Sequence, residues 1–523
     1  MGVLSLHAAS VAVVAAHAAT QDHVVTSPPT PASISMERLR ADVAHLASVE
    51  LGGRGTGQPG FQRAADFVRD RLQALGLQPL GDDGTFFQAV PWTRTEAIAD
   101  ACSLVASTAA GEVVLKPSPD FAGRVWFDQT AEGELAVWRC TDPMRVEVDA
   151  GAAAGRILLV EVAPPDLDTR FAGLEGARTW ATFESRLRAT GAAAVLFVDD
   201  ARARRLAGLE GNESPGKSSP AARASSRTPN ELYLGVAAAE RLAGLAPPAE
   251  PSADSLRLLP VTVRLTIAVR SGPAPACNVV ARLPGSDTEL SAEHVVLGCH
   301  LDHLGVRTGV LHPGADDDGS GTAALLALAE SFARTTDRPR RSLAFAAFCG
   351  EELGLIGSKH FVAHPPIPLA SIVAELQLDM VGRSEENARE TADQNRNSLH
   401  LIGTEKLSED LHRLCLAANR DVGKFDLEWD EEEVFWRSDH VNFARQGVPI
   451  AFFFTGFHHD YHAPSDTADK IEYEKLARVI EYVHAVAARL AQQDERPLVD
   501  RRRWDKSRER LHGPSQPAAP LRR

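Results

Sequence analysis

Leu39, Val43 and Leu46 recur at the spacing of one helix face, and Ala64, Phe67, Val68, Leu72 and Leu75 repeat it before Gly76, a residue suited to end a helix. Two amphipathic helices are predicted there. From about residue 100 to 265 the pattern changes to short apolar runs, including 157–162 and 193–198, separated by Gly, Pro and Ser. That texture predicts β-strands in a second folding unit. After Pro273, apolar runs of strand length (295–298, 343–348, 372–378 and 450–454) alternate with helical stretches at 322–334 and along Leu476, Val479, Ile480, Val483, Ala487 and Leu490. The alternation predicts an α/β fold whose mixed, mostly parallel sheet is flanked by helices on both faces.

A chain of 523 residues exceeds one ordinary core. The patterning divides it into a discontinuous domain over 35–99 and 266–493, a β-rich insert over 100–265, and a charged, Arg-rich tail over 494–523 expected to be disordered. Residues 207–230, rich in Ser, Pro, Gly and Arg, read as an exposed loop. Residues 3–16 are small and apolar, and Ala16-His17-Ala18 resembles a cleavage site, so 1–18 reads as a signal peptide and 19–34 as a flexible lead-in. The expected location is secreted or periplasmic, with the cytoplasm as the alternative because the segment lacks Lys and Arg ahead of its apolar run. No later stretch reaches the ~20 apolar residues of a membrane span. A formal charge of -15 disfavours nucleic acid and anionic membranes as partners. The six cysteines show no CxxC spacing, so neither a thiolate zinc site nor a disulfide-dense scaffold is indicated.

In open α/β sheets, ligands gather at the carboxyl ends of strands, and here those ends carry polar residues that the preceding runs cannot bury cheaply. Cys299-His300-Leu301-Asp302-His303 offers an imidazole with a carboxylate two residues on, although a lone histidine there is also readily structural. Gly314-Ala315-Asp316-Asp317-Asp318-Gly319-Ser320-Gly321 opens into a helix; its carboxylates call for a cation, or one of them, or Ser320, caps the helix. Glu351 and Glu352 follow a very apolar run and suit a division between metal binding and proton transfer. Asp379 ends another run, and Asp460-Tyr461-His462 supplies a second imidazole beside a phenol. Together these form a nitrogen and oxygen donor set that zinc accepts. Gly52-Gly53-Arg54-Gly55-Thr56-Gly57 lacks the context of a phosphate loop and reads as structural.

With these motifs the sequence resembles the zinc-dependent aminopeptidase family that also contains glutamate carboxypeptidase II, glutaminyl cyclases and the transferrin receptor. The likeness runs through Arg54-Gly55-Thr56-Gly57, Asn278-Val279-Val280, 298–305, 314–321, 350–358, Leu378-Asp379-Met380, 435–443 and 460–466. It implies a zinc exopeptidase fold that binds two zinc ions through His300, Asp317, Glu352, Asp379 and His462, with Asp317 bridging. It also implies Asp302 orienting His300, Glu351 as the general base that deprotonates water at the metals, and Tyr461 stabilising the oxyanion. The substrate would be a peptide with a free amino terminus, and the insert would be a protease-associated domain framing access. Asp439 and His440 are expected to anchor a loop, and Asp430 to Glu433 to be a solvated face. Gly52 departs from the acidic residue common in the family. A glutaminyl cyclase-like or carboxypeptidase-like relative, or a non-catalytic receptor-type scaffold, is the alternative.

Overall fold

The computed structural model describes residues 34–500 except 110, 119, 141–149, 163–181, 184, 188, 207, 216–229, 244–254, 308 and 429–433. The signal peptide, nearly all of the lead-in, the acidic run Asp430 to Glu433 and the tail beyond 500 lie outside the described residues.

Nine strands form the sheet that carries the site, in the order Gln78–Pro79, Cys277–Leu283, Ser342–Phe348, His294–His300, Ile372–Leu378, Ile450–Phe454, Ser398–Ile402 and Asp426–Glu428, with Phe87–Ala89 also on Cys277–Leu283. The four central strands run parallel, and the flanking Cys277–Leu283 and Ser398–Ile402 run antiparallel to the central strands beside them. Every residue of the four central strands is buried. Parallel strands covered on both faces favour largely apolar sequence, which the runs provide, although Ile372–Leu378 also buries Glu375 and Gln377. Helices Met36–Leu46, Pro59–Ala74, Gly319–Arg334, Glu409–Ala418 and Tyr473–Gln492 cover one face, while Ile356–Ala363 and His440–Arg445 cover the other.

A second nine-stranded sheet lies between Ser103 and Ile267 and has hydrophobic clusters of its own. Its longest pair, Gln129–Cys140 and Ser255–Ile267, is antiparallel. Trp92–Ala97 lies between Asn212–Pro215 and Val269–Pro273 in a small third sheet. Part of the stretch expected as a loop is therefore paired: Leu209–Glu210 and Asn212–Pro215 add to strand edges through backbone hydrogen bonds, which need no apolar alternation. Cys102, Cys277, Cys299, Cys349 and Cys415 are buried and unpaired. No helix among the described residues is long and apolar enough to cross a membrane.

Candidate metal centre

Because the central strands are parallel, their carboxyl ends lie along one edge. His300 ends its strand; Glu351 and Glu352 follow Ser342–Phe348; Asp379 follows Ile372–Leu378; His462 lies on the loop beyond Ile450–Phe454. Asp317 sits in the turn opening helix Gly319–Arg334. His300 Nε2 lies 3.2 Å from Asp317 Oδ1 and 3.4 Å from Asp379 Oδ1. His462 Nε2 lies 3.1 Å from Asp317 Oδ2 and 3.2 Å from Glu352 Oε2. The two oxygens of one carboxylate thus face two separate donor groups. His303, to which the sequence assigned no role, joins the second: its Nδ1 is 2.8 Å from Glu352 Oε1 and 3.6 Å from Asp317 Oδ2.

These donors fit zinc. Glu352 Oε1 and His303 Nδ1, which face each other, are buried without an ordinary hydrogen bond, an arrangement that a cation between them would satisfy. Although burial opposes it, His303, His300 and His462 together hold Asp317 well below the usual carboxylate range. Against the same opposition, hydrogen bonds to Asp317 and Glu352 raise His462 to about 9.

The neighbouring aspartates serve the backbone. Asp318 caps the helix by accepting from Gly321 N at 2.9 Å and also accepts from His300 N and Met380 N. This cap starts the helix at Gly319, ahead of the apolar periodicity. Asp316 accepts from Gly382 N at 2.7 Å and faces His458 Nε2 at 3.2 Å. Asp302 orients His300 through its own carbonyl, 3.0 Å from Nδ1, whereas its carboxylate is 4.0 Å away and accepts from Glu351 N at 3.2 Å. Arg54, fully buried at a left-handed φ of 53°, donates to the carbonyls of Leu46, Leu301, Pro313 and Gly314, tying the glycine-rich loop to the turns that hold His300 and Asp317.

Beside these donors lies a small open cleft whose wall includes Glu351, Met380, Phe454, Phe457, Tyr461 and Arg437. Burial, reinforced by Asp379 and Glu352 and opposed by His300, raises the Glu351 carboxyl well above its ordinary range. The Tyr461 hydroxyl accepts from Arg437 Nη2 at 3.0 Å, and the same guanidinium lies 4.7 Å over the Phe457 ring. Burial chiefly raises the Tyr461 phenol above its usual value, so it stays protonated and able to donate. Asp439 is buried and makes no ion pair with the donors, although its charge acts on Glu351. His440 contacts the Phe435 carbonyl at 2.8 Å and stacks on Phe452, and burial lowers its pKa to about 3, which leaves it neutral. Gly52, at a φ of 55°, faces open space.

Residues 278–487 match the family described as Peptidase family M28. Aminopeptidase YwaD of Bacillus subtilis is 30% identical over 192 residues, covering 35% of this chain and 39% of its own. Leupeptin-inactivating enzyme 1 of Streptomyces exfoliatus is 29% identical, with 37% of its length covered, so the chain spans well under half of these two relatives. An aminopeptidase of Pseudomonas aeruginosa is 26% identical over 441 residues, 81% of this chain and 70% of its own. Among solved structures, a zinc aminopeptidase from Bacillus subtilis superposes with a TM-score of 0.54 at 18% identity, covering 88% of this chain and 96% of the other. The peptidase M28 precursor from Shewanella amazonensis gives 0.51 at 17% identity, over 88% and 98%. The fold is common to all three.

Proposed function

We infer, from the premise that this chain belongs to peptidase family M28, that it acts as a dinuclear zinc aminopeptidase, removing amino-terminal residues from peptides. The observation that carries this reading is Asp317, whose two oxygens are addressed separately by His300 and His462, so that one carboxylate serves two metal positions. His300 and Asp379 would complete one position, and His462 and Glu352, with His303 adjacent, the other. Zinc bound there would supply Lewis acidity to the scissile carbonyl and lower the pKa of water.

The side chains do the rest. Glu351, with a raised proton affinity and a place in the cleft wall, takes a proton from water and delivers it to the departing amine. Tyr461, fixed by Arg437, donates to the oxygen on which negative charge develops. The wall formed by Met380, Phe454 and Phe457 accommodates an apolar residue at the amino terminus of the substrate. The second sheet, with its own cores, frames access. A cyclase-like chemistry built on one zinc, or a receptor-type scaffold, is disfavoured because neither needs both donor groups around Asp317.

The test is zinc content measured beside hydrolysis of aminoacyl and peptide substrates. About two zinc ions per chain, and loss of turnover on chelation, are expected. Full activity with one ion, or none against any peptide at full loading, rejects the reading.

A further inference from the structure

One side chain in the cleft wall carries a positive charge that the donors around Asp317 do not use. The turn Val434–Trp436 closes with Arg437 N donating to the Val434 carbonyl at 3.0 Å, and the next residue, Ser438, accepts from Gln377 Nε2 at 3.1 Å, so the segment is pinned to the central sheet. The Arg437 side chain is exposed at the cleft. Its guanidinium carbon lies 4.7 Å from the centre of the Phe457 ring and 5.7 Å from that of Tyr461, whose hydroxyl accepts from Nη2 at 3.0 Å. Phe457 meets Tyr461 edge to face at 4.9 Å and Phe454 at 4.9 Å, so the cation rests on the aromatic wall. Rings and a hydroxyl orient a guanidinium without neutralising it, and among the described residues no carboxylate pairs with Arg437.

We propose that Arg437 sets the charge selection for the first side chain of the substrate, turning away lysine and arginine while admitting apolar and carboxylate-tipped residues. The proposal rests on the aminopeptidase reading, which seats that side chain against Met380, Phe454 and Phe457. A long side chain lying along Phe454 and Phe457 brings its tip to the cation held on the Phe457 face. At a partly exposed site, like charges about 5 Å apart repel strongly enough to change a rate constant about tenfold or more, and opposite charges attract on the same scale. Arg437 then has two separable roles: its hydrogen bond positions Tyr461, and its charge reads the substrate. Arg437→Lys weakens the first and keeps the second.

The zinc-loaded full chain is assayed on lysyl, norleucyl and glutamyl p-nitroanilides, norleucine supplying the lysine stem without its ammonium group. In wild type, kcat/KM for the norleucyl substrate should exceed that for the lysyl substrate at least about tenfold, and the ratio should shrink as salt screens the charge. Arg437→Gln should lower the norleucyl-to-lysyl and glutamyl-to-lysyl ratios about tenfold, whatever the absolute rates lose through Tyr461, while Arg437→Lys should hold both within about threefold of wild type. Ratios in Arg437→Gln equal to those of wild type overturn the proposal and leave the aminopeptidase reading standing. If Arg437→Gln does not fold, the wild-type norleucyl-to-lysyl ratio decides: a value near unity, or one unmoved between low and high salt, overturns the proposal. No hydrolysis of these substrates or of longer peptides by zinc-loaded wild type rejects the aminopeptidase reading and the proposal with it.

Discussion

The two halves of the centre around Asp317 are built from different material. His300 and Asp379 leave the ends of neighbouring strands; the His300 side chain is 1% exposed and that of Asp379 10%, and His300 is held in register with Phe348. His462 is 31% exposed, lies on a loop and adopts a left-handed φ of 57°. Its partner Glu352 follows a turn through Gly350. One half is set by the sheet and the other is assembled by loops. A donor already in place loses little freedom on binding, so the sheet-held half should be the tighter.

The severest test removes what the halves share. Asp317→Asn should lower zinc content at both positions and cut kcat/KM on the order of 10³-fold or more, seen by elemental analysis with peptide kinetics. Retention of both ions would end the idea of a common carboxylate. Glu351→Gln should leave both ions bound while kcat falls about 10²–10⁴-fold with little change in KM, which separates chemistry from metal holding. A loss of zinc in that variant would assign Glu351 to the metals instead.

The next test sets the halves against each other. On titration with a chelator, the first ion to leave wild type should be the one missing from Glu352→Gln, while Asp379→Asn loses the ion that leaves last. His303→Ala should weaken only the loop-held ion, by about 10–100-fold. Reversed order would show that the loops, and not the sheet, hold the tighter metal. The smallest effect belongs to Arg437→Lys, which removes a fixed donor from the Tyr461 hydroxyl; kcat should fall about two- to tenfold with zinc unchanged, the scale of one hydrogen bond. A drop in metal content would mean that Arg437 supports His462.

These differences follow from what a sequence can express. Ile450–Phe454 coincides with its apolar run because strands buried on both faces favour apolar side chains, and Ile372–Leu378 keeps enough of that character to stand out although it buries Glu375 and Gln377. The polar residues after those runs stand out for the same reason, so His300, Glu351, Glu352 and Asp379 were all legible. Periodicity does not say which of Asp316, Asp317 and Asp318 faces the imidazoles, since that depends on turn geometry; the family resemblance pointed to Asp317. His303 was hidden beside the histidine and aspartate of its own motif, its spacing of three from His300 being the one available signal. Arg54 was hidden in a loop read through its glycines, because its partners are carbonyls, and every residue has one. Asn212–Pro215 was missed on similar grounds, its pairing being made by backbone alone.

The Arg54 clamp bears on how the protein is made. Its guanidinium closes on Leu301, Pro313 and Gly314, which lie 247, 259 and 260 residues further along the chain. Asp466, later still, accepts from the amides of Asp316 and Asp317. A ribosome therefore releases the first of these pieces long before the last exists, and during that interval the arginine has none of the carbonyls beyond residue 300 that it will hold. Contacts of such span form late and slowly. The growing chain stays without a complete donor set around Asp317 until the segment carrying His462 and Asp466 has been translated.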